Sequence, residues 1–106
     1  AQNVSFNTLY MTVHQPKNGA VFQGTLKSDT AGLDRAGLVT ATLSFSLNGR
    51  DYEFVVFEET FAEEQLFAQK YPGGVEYSLV LASQFRGQNC HLNVYLNGVV
   101  VYTSDS

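Results

Sequence analysis

Four aromatic residues and four cations are the side chains of this sequence that could add up to a binding site: Tyr52, Phe57, Phe85 and Tyr95, with Lys27, Arg35, Arg50 and Arg86. Aromatic faces stack on unpaired bases while cations follow the phosphates, and each stacked base contributes about 1–3 kcal/mol. A single-stranded nucleic acid, DNA or RNA, is the ligand such a set would hold. Tyr95 shares the parity of His91 and Asn93, opposite Leu92, Val94 and Leu96, so its ring is expected on the solvent side of its strand. A tyrosine that merely covers a sheet is the plainer alternative. Phe57 falls off the face of Tyr52, Phe54 and Val56, and is either exposed or packed under the segment that follows. Tyr52 reads as core. Phe85 and Arg86 sit together in "QFRGQN", an expected hairpin tip. Arg50 beside a turn, Lys27 at a strand end and Arg35 in a polar loop are placed to meet phosphate, and each also reads as an ordinary solvated charge.

Other chemistries do not assemble. Cys90 is the lone cysteine, so no intrachain disulfide forms, and with two histidines, His14 and His91, no zinc cluster is expected. Cys90 and His91 are adjacent on a strand and point to opposite faces, which does not make a dyad. The acid pairs Glu58-Glu59 and Glu63-Glu64 stand where a helix start would attract negative charge without any acid–base role. The glycines are scattered among turns and form no phosphate cradle. The expectation is a non-enzyme without metal or cofactor. A formal charge of −4, from six Lys and Arg against ten Asp and Glu, argues against a broad basic footprint for duplex DNA or an anionic membrane. No apolar run approaches a membrane span and no basic stretch followed by an apolar one opens the chain. A cytoplasmic location is the expectation.

The elements that must carry these residues read mostly as strands. With 106 residues, 44% hydrophobic and 15% charged, the chain is one domain with a real core. Residues 9–14 and 20–27 are short strand-like runs around "QPKNG", forming a hairpin or one bulged strand. Residues 28–37 are polar, aperiodic and expected as a mobile surface loop. Ala41, Leu43, Phe45 and Leu47 then alternate with Thr40, Thr42, Ser44 and Ser46, giving one buried face and one hydroxyl face. Asn48-Gly49 is a hairpin signal, because both residues tolerate positive φ, and Tyr52, Phe54 and Val56 alternate beyond it. Val75, Tyr77, Leu79 and Leu81 form another strand, Leu92, Val94 and Leu96 the next, and Asn97-Gly98 turns the chain into "VVVYT". Between them "TFAEEQLFAQKYPGG" reads as a helix. Thr60 and Glu63 make a capping box, Ala62, Leu66, Phe67 and Tyr71 an apolar stripe, and Pro72 with Gly73-Gly74 the stop. A helix of roughly ten residues is about 15 Å long and suits plugging the end of a small barrel.

Three strands, one helix and a closing hairpin is the order of the OB-fold, an all-β five-stranded Greek-key barrel with a capping helix between strands three and four. More specifically, "GTLKSDTAG" followed by "GLVTATLSFSLNGRDYEFVVFEETFAEEQLFAQKYPGGVEYSLVLASQ" resembles the bacterial single-stranded DNA-binding protein family over residues 20–102. The matching positions are Gly24-Thr25-Leu26, Phe45-Ser46-Leu47, Val55-Val56, Phe61-Ala62-Glu63 and Gly73-Gly74-Val75. The resemblance implies an OB-fold that binds single strands as a homodimer or homotetramer. The sequence departs from the family pattern after Phe57, where Glu58-Glu59 replaces Gly-Lys and would repel phosphate. Two further readings therefore stand beside the first. One is an acidic OB-fold or β-barrel interaction module that contacts a basic protein partner or pairs a sheet edge with another chain. The other is a structural barrel or sandwich within an assembly.

Overall fold

The computed structural model describes residues 20–28 and 33–105. The predicted run at 9–14, and whether residues 1–19 form an arm or part of a barrel, lie outside them. In chain order the elements are β1 (Ala20–Leu26), β2 (Gly37–Leu47), β3 (Arg50–Phe61), α1 (Phe67–Lys70), β4 (Val75–Leu81), a 3₁₀ turn (Ser83–Phe85), β5 (His91–Leu96) and β6 (Val99–Thr103). The two Asn-Gly turns form as their chemistry requires. Asn48 and Gly49 have φ of 54° and 77°, and Asn97 and Gly98 have 52° and 84°. Positive φ at both central positions is the type I′ signature, whose twist matches that of the flanking strands.

The strands form two antiparallel sheets rather than a closed five-stranded barrel. One is the pair β1-β4, in register from Ala20 opposite Leu81 to Leu26 opposite Val75. The other is four-stranded, in the order β3-β2-β5-β6. The apolar parity of β2, β4 and β5 turns inward, so the core lies between the sheets. It has two halves. Near the β2–β3 turn, Ala20, Leu43, Phe45, Phe54, Leu79, Leu81 and Phe85 pack together. At the opposite end Leu26, Leu33, Val39, Ala41, Phe61, Phe67 and Val94 do so. Full burial of side chains of this size contributes about 1.5–3 kcal/mol each.

Three expectations are corrected. The helix is one turn long, because β3 continues through Phe61, which pairs with Gly37, and Thr60 pairs with Leu38. An extended Thr60 in a ladder cannot cap a helix. Glu63 and Glu64 lie in the exposed turn closed by the Ala62–Gln65 bridge, and Gln69 Oε1 instead accepts the Leu66 N–H at 2.9 Å. Of the expected apolar stripe, Phe67 is fully buried and Tyr71 half-buried, while Ala62 is exposed. The plugging role thus belongs to Phe67. The segment 28–37 is not wholly surface, since Leu33 is fully buried in the lower core and Asp34 Oδ1 accepts the Ala68 N–H at 3.2 Å. Finally, β4 and β5 belong to different sheets, so residues 82–90 are a crossover over the open end of the sandwich. The tip expected to expose Phe85 tucks that ring inside.

Candidate functional site

The outer face of the four-stranded sheet carries the chemistry. In β2 the residues opposite the core parity are Thr40, Thr42, Ser44 and Ser46, and antiparallel pairing puts equivalent faces of neighbours side by side. Register therefore aligns Asp51 and Glu53 of β3 with Ser46 and Ser44, and His91, Asn93 and Tyr95 of β5 with Ser44, Thr42 and Thr40. The shift at Ala41/Thr42 then brings Glu58 opposite Thr40.

Thr42, Ser44, Glu53, Asn93, Tyr95 and Thr103 join in a hydrogen-bonded network across four strands, flanked by two separate pairs. Thr42 Oγ1 donates to Glu53 Oε2 at 2.6 Å, and Tyr95 Oη donates to the same oxygen at 2.5 Å. Bonds to an ionised carboxylate are short and roughly twice as strong as neutral ones. Asn93 Nδ2 donates to Thr42 Oγ1 at 3.2 Å and to Ser44 Oγ at 3.0 Å, while Asn93 Oδ1 accepts from Thr103 Oγ1 at 3.1 Å. Thr40 Oγ1 donates to Glu58 Oε2 at 3.1 Å, and Ser46 Oγ to Asp51 Oδ1 at 3.0 Å. The phenol of Tyr95 spans diagonally over β2, which is why Thr42, although on the outer face, is 0% exposed. Burial of the ring, then the Glu53 carboxylate beside it, push the Tyr95 hydroxyl up to about 12. At the turn end of the face, Ser44, Ser46, Asp51, Glu53 and His91, together with Phe45 and Tyr52, line an open hollow of about 200 Å³. His91 Nδ1 meets the Ser104 carbonyl oxygen at 2.8 Å. A carbonyl partner accepts, so Nδ1–H is the donor in that contact. The carboxylates of Asp51 and Glu53 stand at this largely apolar hollow and are the groups there that an ammonium or guanidinium could meet.

The aromatic and cationic candidates do not converge. Tyr95 is on the outer face, half-buried and tied by its hydroxyl. Phe57 points inward, with its ring centroid 5.9 Å from Phe67 and 6.1 Å from Tyr71. Phe85 is 4% exposed and packs edge-on against Tyr52 at 5.0 Å and Phe45 at 5.6 Å, so neither of its faces is open to a base. Tyr52 is half-buried against the same core half. Arg50 and Arg86 are exposed at the end marked by the Asn48-Gly49 turn. Lys27 and Arg35 are exposed at the other end, Lys27 beside Gly73 and Gly74. Lys70, at that second end, pairs with Glu59 of β3, which also accepts the Tyr71 hydroxyl at 2.7 Å. The Lys70 bond, ahead of the Tyr71 bond, holds the Glu59 carboxyl below its usual range. No strand position on the outer face carries Lys or Arg among the described residues.

Glu53, Thr42 and Asn93 are absent from the set read off the sequence. Their signal was the hydroxyl alternation of β2, which becomes a network only once β3 and β5 are known to flank it. Among the described residues no group of His, Cys, Asp and Glu is arranged to hold a metal ion, and no helix is long and apolar enough to cross a membrane. The arrangement defines an all-β two-layer domain with an acidic, hydroxyl-rich sheet face. The chain matches no family model, no curated protein and no solved structure.

Proposed function

We propose that the domain is a non-catalytic interaction module that receives a Lys- or Arg-bearing segment of a protein partner on the outer face of its four-stranded sheet. One observation carries this reading: Asp51, Glu53 and Glu58 stand on that face, each accepting a cross-strand hydroxyl, with no cation on its strand positions among the described residues. Carboxylates held in place lose little side-chain freedom on binding, and a field of one sign speeds the approach of a cationic partner. The single-strand reading rests on the sequence resemblance. Against it stand the inward rings of Phe57 and Phe85 and the acids where phosphates would run. The OB-fold frame draws support from the helical turn between the third and fourth strands, and the open two-sheet order adds none.

The test is fluorescence anisotropy with two labelled probes, an oligo-arginine peptide and oligo(dT), each at low and at physiological salt. The peptide is expected to bind and to weaken with salt. The double variant Asp51→Asn/Glu58→Gln, at two exposed sites, should weaken it about three- to tenfold. Tighter binding of oligo(dT) than of the peptide would overturn the proposal in favour of the nucleic-acid reading.

A further inference from the structure

Among the described residues, Asn48 and Asn97 are the side chains that stand on left-handed backbone, with φ of 54° and 52°. Each is followed by glycine in a type I′ turn. Their neighbours match as well: Leu47-Asn48-Gly49-Arg50 in one turn, Leu96-Asn97-Gly98-Val99 in the other, with both asparagines exposed. An Asn-Gly pair can react with itself, because glycine has no side chain to crowd the approach. The deprotonated glycine nitrogen attacks the asparagine Cγ and forms a new N–Cγ bond. The Cγ–Nδ2 bond breaks, and ammonia leaves carrying a proton in place of the one the backbone nitrogen gave up. Water then opens the five-membered imide. Addition at Cγ gives aspartate, and addition at the main-chain carbonyl gives isoaspartate, whose backbone runs through Cβ. The sum is amide plus water to acid plus ammonia, with no change of oxidation state.

The two side chains differ in what holds them. Asn97 Oδ1 accepts the Leu38 N–H at 2.9 Å, while the Asn97 N–H donates to the Leu38 carbonyl at 2.8 Å. The carboxamide thus stands in for a main-chain carbonyl between β5 and β2. It also packs against Gly37, where an added Cβ would lie 2.7 Å from Nδ2 and 2.8 Å from Oδ1. To bring Cγ onto the Gly98 nitrogen, Asn97 must first leave Leu38. The Asn48 side chain makes no hydrogen bond among the described residues and has nothing to break.

We infer that Asn48 is a site of spontaneous deamidation, and that the Leu38 clamp protects Asn97 from the same reaction. Backbone, neighbours and exposure are shared by the two turns, which leaves the side-chain hold as the difference. One net hydrogen bond that must break before reaction slows Asn97 about three- to tenfold. The product sets a carboxylate on the β2–β3 turn, at the Asp51 end of the outer face, and makes the chain one charge more negative than −4. Its isoaspartyl form adds a backbone carbon to the turn that fixes the β2–β3 register. A third pair, Asn18-Gly19, lies outside the described residues. The reaction needs only the turn and water, so it does not depend on what the carboxylate face binds.

The test is incubation of the full chain in mildly alkaline buffer at physiological temperature, with peptide mapping by mass spectrometry at intervals. Mapping follows each Asn-Gly pair separately, and chromatography resolves the aspartyl from the isoaspartyl product. Asn48 should convert about three- to tenfold faster than Asn97 in the folded chain. In concentrated urea, where the clamp is gone, the two rates should converge. Gly37→Ala, which displaces the clamp, should speed Asn97 and leave Asn48 unchanged. Equal rates in the folded chain, faster conversion at Asn97, or an intact Asn48 where the urea-unfolded chain converts would each overturn the inference. So would an Asn97 rate unmoved in a folded Gly37→Ala chain. The rates in the unsubstituted chain decide the matter even where that variant does not fold.

Discussion

Replacing Phe85 by alanine separates the two roles open to that ring. A stacking residue at an exposed tip would cost almost no stability when truncated, and the loss would appear in ligand binding. The structure instead leaves Phe85 4% exposed, edge-on to Tyr52, Phe45 and Phe54 at 5.0, 5.6 and 6.1 Å. Truncation removes the transfer free energy of the ring and leaves a cavity, together about 3–5 kcal/mol for a buried phenylalanine. Aromatic pair terms are contained in that range and are not added to it. Against a typical stability of about 5–15 kcal/mol, the loss is large. With a urea slope of about 1.5–2 kcal/mol/M, the midpoint should fall by about 1.5–3 M at unchanged slope. Chemical denaturation followed by circular dichroism measures this directly. Phe85→Leu, which keeps most of the apolar volume, should lose clearly less. A loss under about 1 kcal/mol for the alanine variant would refute the packing argument and return the ring to the surface.

Two further outcomes follow from the polar face and the hairpin clamp. Tyr95, pushed up to about 12 by burial and then by Glu53, keeps its proton in the folded chain where an unfolded tyrosine titrates near 10. The folded state binds more protons in that window, so its stabilisation is complete below about pH 10 and is lost as pH rises through about 12. Two pH units bound the effect at about 2.7 kcal/mol, and partial solvent screening lowers it to about 1–2 kcal/mol. Tyr95→Phe should flatten this slope in urea titrations at about pH 9 and about pH 11, and an unaltered slope would contradict the assignment. Gly37 has φ of +126°, and a Cβ there would lie 2.7 Å from Asn97 Nδ2. Gly37→Ala should therefore cost about 1–3 kcal/mol through backbone strain and displacement of the Asn97 clamp. A melting curve like that of the unsubstituted chain would argue against it.

Local pattern by itself determined the strands. Alternation in residues 40–47 and in Leu92, Val94 and Leu96 assigned their inward faces, and two Asn-Gly pairs determined two turns, because side-chain parity and positive φ are properties of neighbouring residues. The same pattern placed Tyr95 on the outer face of its strand. Pairing order lay beyond it. Nothing in β5 names β2 as its neighbour, and that adjacency puts Asn93 and Tyr95 within reach of Thr42 and Glu53. Helical spacing in residues 60–71 was genuine yet overridden, since β2 offered Thr60 and Phe61 ladder partners that a short helix could not match. Phe85 followed the same rule on a larger scale. Flanking strands in one sheet would have left it at a tip, whereas strands in two sheets carried it across the open end of the core. Parity is local, but which surface a side chain finally meets depends on contacts between segments far apart in the chain, and only the tertiary structure supplied those.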